Sequence, residues 1–165
     1  MALDSAGLVW IHARRTDRAL DAGRNILTLR PESPIGFEHL AIASLLRKEH
    51  TRAKDMIHKG LEVSGRDPLF LTLRAYLHGV LGERAAMRET LDELTEKART
   101  GFVPPTFFAI AWLGLNETEA AVTRLEEGFK IHDPYLVLIK VSPWFDQLRD
   151  VPRFQLLLER MNFPG

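Results

Sequence analysis

The sequence predicts an all-α chain, an α-solenoid of about four helix pairs followed by a C-terminal capping helix. Three observations predict it. The first is a period of 34 residues in the small and apolar positions. The row through Ala53 reads Ala19, Ala53, Met87 and Ala121, and the row through Ala41 reads Gly7, Ala41, Ala75 and Ala109. Small residues there let two helix backbones cross closely. Two further rows, Gly23, Ile57, Leu91, Leu125 and Leu27, Leu61, Thr95, Phe129, recur at the same period. The second observation is spacing within one period. In the stretch 37–63, Phe37, Leu40, Ala41, Ser44 and Leu45 precede the polar turn 47–51, and Ala53, Ile57, Gly60 and Leu61 follow it. Spacing of i, i+3, i+4, i+7 puts each set on one helical face. The third is punctuation: Ser33-Pro34 returns as Asp67-Pro68. A capping side chain followed by proline opens a helix, because the first turn does not use the missing N–H.

The first pair spans about 2–14 and 16–29 and ends at Arg30-Pro31. Its opening helix has no clear cap and begins almost at a repeat boundary, as expected of a chain cut from something longer or of an array that starts abruptly. The second pair opens at Ser33-Pro34, and the third spans about 68–81 and 83–99. Pro104 and Pro105 stiffen the loop before the fourth pair, about 105–114 and 117–131. Gly82 and Gly114 are placed in the inter-helix turns, where a residue free to take positive φ ends a helix. The repeats are thus about 1–33, 34–67, 68–101 and 102–133. After Asp133-Pro134 the period fails. A short apolar run over 135–141 leads through 142–150 to a last helix at about 151–161, with Phe154, Leu157, Leu158 and Met161 on one face. Residues 134–165 are expected to cover the apolar end of the array. No segment alternates long enough to predict a strand.

A 34-residue period with two helices per period resembles the tetratricopeptide-repeat family along most of the chain. The resemblance implies a right-handed superhelix whose first helices line a concave face. A second resemblance lies in the tail, through Pro143, Phe145, Leu148, Arg149, Pro152, Arg153, Phe154, Leu157 and Leu158. That phrasing resembles the end of bacterial tetratricopeptide segments attached to nucleotide cyclases, serine/threonine kinases and winged-helix regulators. The catalytic and DNA-binding parts of such proteins have no counterpart here, so the resemblance implies a partner-module role alone.

Composition narrows the classes. The 165 residues suffice for one domain with a sizeable core. With 22 basic and 22 acidic residues the net charge is zero, so bulk electrostatics do not favour nucleic acid. There is no cysteine, which excludes disulfides and thiolate chemistry and fits a reducing compartment. The run 7–11 is too short for a signal peptide, and nothing approaches the roughly 20 apolar residues of a membrane span. A cytoplasmic location is expected.

The motifs of chemistry are missing. There is no phosphate loop, dinucleotide fingerprint or Gly-x-Ser-x-Gly elbow. His12, His39, His50, His58, His78 and His132 never fall four apart. Glu89, Asp92, Glu93 and Glu96 read as the wet side of a helix packed through Met87, Leu91 and Leu94. Arg47, Lys48, Arg52, Lys54, Lys59 and Arg66 form either a plain charged surface or a patch for an acidic partner. Trp10 and Trp112, three periods apart, are expected to pack between helices. No cofactor and no metal is expected.

The concave face remains. Its expected lining is Leu8 and Ile11, His39, Ile42 and Leu45, Leu73 and Tyr76, then Phe107, Ile110 and Leu113. The row Asp4, Glu38, Thr72, Thr106 departs from the chaperone-tail-binding branch of the family, which needs lysine, arginine and asparagine there. An apolar lining favours an extended or helical segment with hydrophobic anchors, Tyr76 and Phe107 foremost. Alternatively the superhelix winds tightly, or the cap folds back, and these residues are core. The expected function is a non-enzymatic protein–protein interaction module binding a peptide or partner helix, with no nucleic acid directly, no membrane, and a homodimer left open. The alternative is a regulatory or oligomerisation domain of a bacterial transcription regulator or cyclase-like signalling protein.

Overall fold

The computed structural model describes the backbone of residues 2–163 and the side chains from Ala6 to Phe163. Every regular element among them is helical: α1 (Ala2–His12), α2 (Thr16–Leu29), α3 (Pro34–Leu46), α4 (His50–Val63), α5 (Pro68–Val80), α6 (Arg84–Thr100), α7 (Pro105–Leu113) and α8 (Thr118–Lys130). A tail follows, made of two short 3₁₀ helices, Pro134–Leu138 and Pro143–Leu148, and α9 (Pro152–Met161).

One turn is built four times. Arg14, Lys48, Gly82 and Asn116 take φ of 59°, 60°, 74° and 58°, each 34 residues after the last. In every case the next N–H reaches back five residues: Arg15 to Trp10, Glu49 to Ser44, Glu83 to His78 and Glu117 to Trp112, at 2.8–3.2 Å. This is the hydrogen bond that satisfies the last carbonyls of a helix when a left-handed residue ends it. The following helices then start at Thr16, His50, Arg84 and Thr118, again 34 apart.

Two expectations about helix ends need correction. Ser33 has cap-like backbone angles, but its side chain makes no capping bond, whereas Asp67 does, accepting from Leu69 N at 2.8 Å. Gly114 is not a left-handed residue; its φ is −61° and Asn116 takes the turn. Gly114 is required for closeness instead. A Cβ there would lie 2.3 Å from the carbonyl oxygen of Tyr76, and one on Gly79 would lie 2.8 Å from the Gly114 carbonyl carbon.

Neighbours in sequence pack in space. Each helix from α1 to α5 lies on the next, α5 on α6 and α7 on α8, while α7 packs on α5 and α1 and α3 touch across the interior. Ala19, Ala53 and Ala121 are fully buried, as are Ala41, Ala75 and Ala109. At Gly60, Phe70 fills the place of a side chain.

The tail does more than lid the last pair. α9 docks on α8, where Arg153 bonds Glu119 and, at 2.7 Å, Glu126. Phe145, Leu148, Phe154 and Leu157 join the tail to the main apolar core, with Phe145 and Phe154 stacked at 6.3 Å. The Pro143–Leu148 helix then turns back across the first helices. Trp144 meets Tyr76 edge-on, with ring centroids 4.9 Å apart. Asp146 pairs with Arg14, 132 residues away.

Candidate functional site

The returning tail converts the expected concave face into a cavity of about 970 Å³. The side chains that wall it come from α1 (Leu8, Ile11), α3 (Ile35, Ile42), α5 (Leu69) and α7 (Phe107, Ile110). Leu138, Trp144 and Phe145 close it from the tail. Burial grades along it. Ile11 and Phe145 are 1% and 2% exposed, while Phe102, Tyr135 and Val63 are open at the rim.

The ten sequence-predicted lining residues divide three ways. Leu8, Ile11, Ile42, Phe107 and Ile110 do line the cavity. Tyr76 does not, because Trp144 covers it. His39, Leu45, Leu73 and Leu113 are buried in the core and present nothing to the cavity. His39 owes its place to Gly7: a Cβ there would lie 2.1 Å from the imidazole, so only glycine lets α1 come so close. The side chain of Asp4 lies outside the described residues.

Polar groups are few. Glu38 is half-buried on the lining, one helical turn from Ile35 and one from Ile42. Among the described residues it makes no hydrogen bond or ion pair. Burial, then the nearby Asp67, raises its pKa from 4.5 to about 7. Tyr135 at the rim is raised too, by burial first and then by Glu38, Asp67 and Asp133. Burial lowers the pKa of His12, and its Nδ1 is buried without a hydrogen-bond partner. Asp133 is fully engaged. It accepts from Thr106 N at 2.9 Å and Thr106 Oγ1 at 2.6 Å, and caps the first 3₁₀ helix through Tyr135 N. No lysine or arginine is among the described lining residues. Nor do those residues assemble three or more histidine or acidic side chains fit to hold a metal.

Outside the cavity, charges mostly pair. Glu93 is clamped by Arg66 at 2.6 Å and Arg74 at 2.8 Å, and the Arg66 hydrogen bond above all holds its carboxyl below the usual range. Glu89, Asp92 and Glu96 are exposed, as expected of a wet face. In the basic patch, Arg47 bonds Asp17 and Glu49, and Arg66 is taken by Glu93, so part of its charge is neutralised. Trp10 packs against the core with Arg18 over its ring at 5.5 Å, and Trp112 packs between α7 and its neighbours.

Sequence reasoning placed Glu38 beside the concave face but passed over Ile35, Leu69 and the whole tail wall. The 34-residue register could have supplied Ile35 and Leu69, which share a row with Val103. No local signal marks Tyr135, Leu138, Trp144 and Phe145 as lining.

Comparison with known proteins returns no matching family model, no matching curated protein and no matching solved structure. Among the described residues no helix is long and apolar enough to cross a membrane.

Proposed function

We propose that this chain is a non-enzymatic binding module of tetratricopeptide type that takes a short apolar segment of a partner protein. The observation that carries the reading is the cavity of about 970 Å³, walled by aliphatic and aromatic side chains. Pockets that take organic ligands span roughly 300–1,000 Å³ and are mostly apolar with a few polar groups for orientation. An extended segment suits it better than a helix, whose side chains make a cylinder about 10–12 Å across. The turn repeated every 34 residues supports the tetratricopeptide assignment. Binding is favoured over catalysis because the hydroxyl nearest a carboxylate, Thr106, is fixed to Asp133 as a structural tie.

The test is a random peptide library selected on the wild type and on Ile35→Trp, whose indole fills the mouth of the cavity. Selected peptides should lose about tenfold or more in affinity for the variant. Peptides that bind both proteins equally overturn the assignment.

A second reading, an oligomerisation or regulatory segment of a bacterial transcription regulator or cyclase-like signalling protein, has its own support. Ile131, Tyr135, Val137, Val141 and Leu156 expose apolar surface around the tail. Light scattering on wild type and Val137→Asp should then show a dimer that the aspartate dissolves. A wild type that stays monomeric at high concentration rejects it.

A further inference from the structure

We propose that the cavity receives the free N-terminus of a partner polypeptide, its ammonium against Glu38 and its first apolar side chain on Ile42, Ile110 and Phe145. The proposal rests on reading the cavity as a binding site and names the chemistry that the site selects.

Charge is the first argument. Glu38 and Asp67 are the acids on the described lining, and no lysine or arginine balances them. Burial lowers the pKa of His12, the one basic group there. A carboxylate held in apolar surroundings without a partner is unfavourable, and a buried charge calls for a counter-charge with hydrogen bonds. Glu38 lines the cavity with no hydrogen bond or ion pair among the described residues. An α-ammonium, with a pKa of about 7.7–8.0, is charged at the pH where that carboxyl ionises.

The opposite chain end fits poorly. A C-terminal carboxylate would look for free N–H groups at the helix N-termini around the rim. At α5 and α7 the N–H groups of Leu69 and Thr106 are taken, by Asp67 at 2.8 Å and Asp133 at 2.9 Å, while α3, which Ser33 leaves without a side-chain cap, has Glu38 one turn into the helix. A carboxylate would also stand against Glu38.

Topology is the third argument. Trp144 on Tyr76 and Asp146 on Arg14 set the tail across one side of the cavity, where a chain end, unlike a mid-chain segment, needs room on one side only. Glu38 lies four residues, about 6 Å of helix rise, above Ile42. An amine at Glu38 therefore leaves room beneath it for one large apolar side chain. The rest of the segment leaves past Asp67, Phe102 and Tyr135.

The experiment uses a set of hexapeptide amides with aliphatic or aromatic first residues, each made with a free and with an acetylated N-terminus. Calorimetric titration is run on wild type, Glu38→Gln and Ile35→Trp. On wild type, acetylation should weaken binding about tenfold or more, as the loss of a charge-assisted contact does. On Glu38→Gln the free and acetylated forms should bind alike, and Ile35→Trp should bind neither. Equal affinity of the two forms for wild type, with Ile35→Trp still blocking, overturns the ammonium contact and leaves the cavity reading standing. Binding indifferent to Ile35→Trp overturns both. Binding of hexylamine without any peptide overturns the polypeptide and leaves a small amine as the occupant.

Discussion

Arg14 and Asp146 form a two-pronged ion pair, Nη2 to Oδ1 at 2.7 Å, between the turn after α1 and the second 3₁₀ helix of the tail. The carboxylate is held below its usual pKa range by that hydrogen bond first. Both side chains are about half exposed, at 56% and 43%. The pair therefore marks where the chain closes on itself more than it holds the closure. Exposed pairs contribute about 0.2–1 kcal/mol. Arg14→Ala should lower stability within that range in denaturant titrations, and 1 M salt should erase the difference. A loss several times larger would show that the tail hangs on this contact.

Trp144 is the contrasting case. It is 9% exposed and lies edge-on to Tyr76. Truncating a buried tryptophan typically removes about 3–5 kcal/mol. Trp144→Ala should fall in that range, and Trp144→Phe should recover much of it. A loss below about 1 kcal/mol would mean that the tail does not close the cavity in solution.

The glycines divide by geometry. Gly114→Ala puts a methyl group 2.3 Å from the backbone oxygen of Tyr76, and backbone cannot step aside. It should cost at least about 2 kcal/mol, whereas Gly101→Ala, with its nearest neighbour 3.9 Å away, should be close to neutral. The converse holds at Lys48, exposed with φ of 60°. Lys48→Gly should raise stability by about 0.5–1 kcal/mol by removing the left-handed penalty. Thermal melts of the three variants check the set.

Glu38 sets a pH dependence. Its folded pKa of about 7 lies above the ordinary 4.5, so the folded state binds the proton more tightly than the unfolded chain. Stability is therefore greatest below pH 4.5 as far as this group is concerned, and is lost as pH rises to 7, beyond which the loss is constant. Glu38→Gln removes the effect. It should raise the melting temperature at pH 8 and leave it nearly unchanged at pH 4.5. At about 1.36 kcal/mol per tenfold the ceiling is about 3 kcal/mol, and solvent reaching the carboxyl reduces that to about 1–2 kcal/mol. A substitution that is neutral at both pH values would place Glu38 in water.

What the sequence determined by itself is the set of local devices. Helices follow from apolar positions at helical spacing, and the 34-residue period sets how their starts recur, although those of α6 and α8 fall at Arg84 and Thr118, one residue later than the spacing indicates. Ala53 and Ala121 were readable as buried small positions because a period of 34 lines them up. Those signals are local or strictly repeated, so a linear reading reaches them. It misread Gly114, since a glycine kept for closeness and one kept for positive φ look identical until the neighbouring backbone is known. Only the tertiary structure decided what became of the concave face. Whether Tyr76 meets a partner or Trp144, and whether Ile42 and Ile110 face an open groove or a cavity walled by the tail, depends on contacts between residues up to 132 apart. The tail has no repeat to align it, and its apolar side chains settle wherever most apolar surface leaves water. That is a property of the assembled helices, and no single segment carries it.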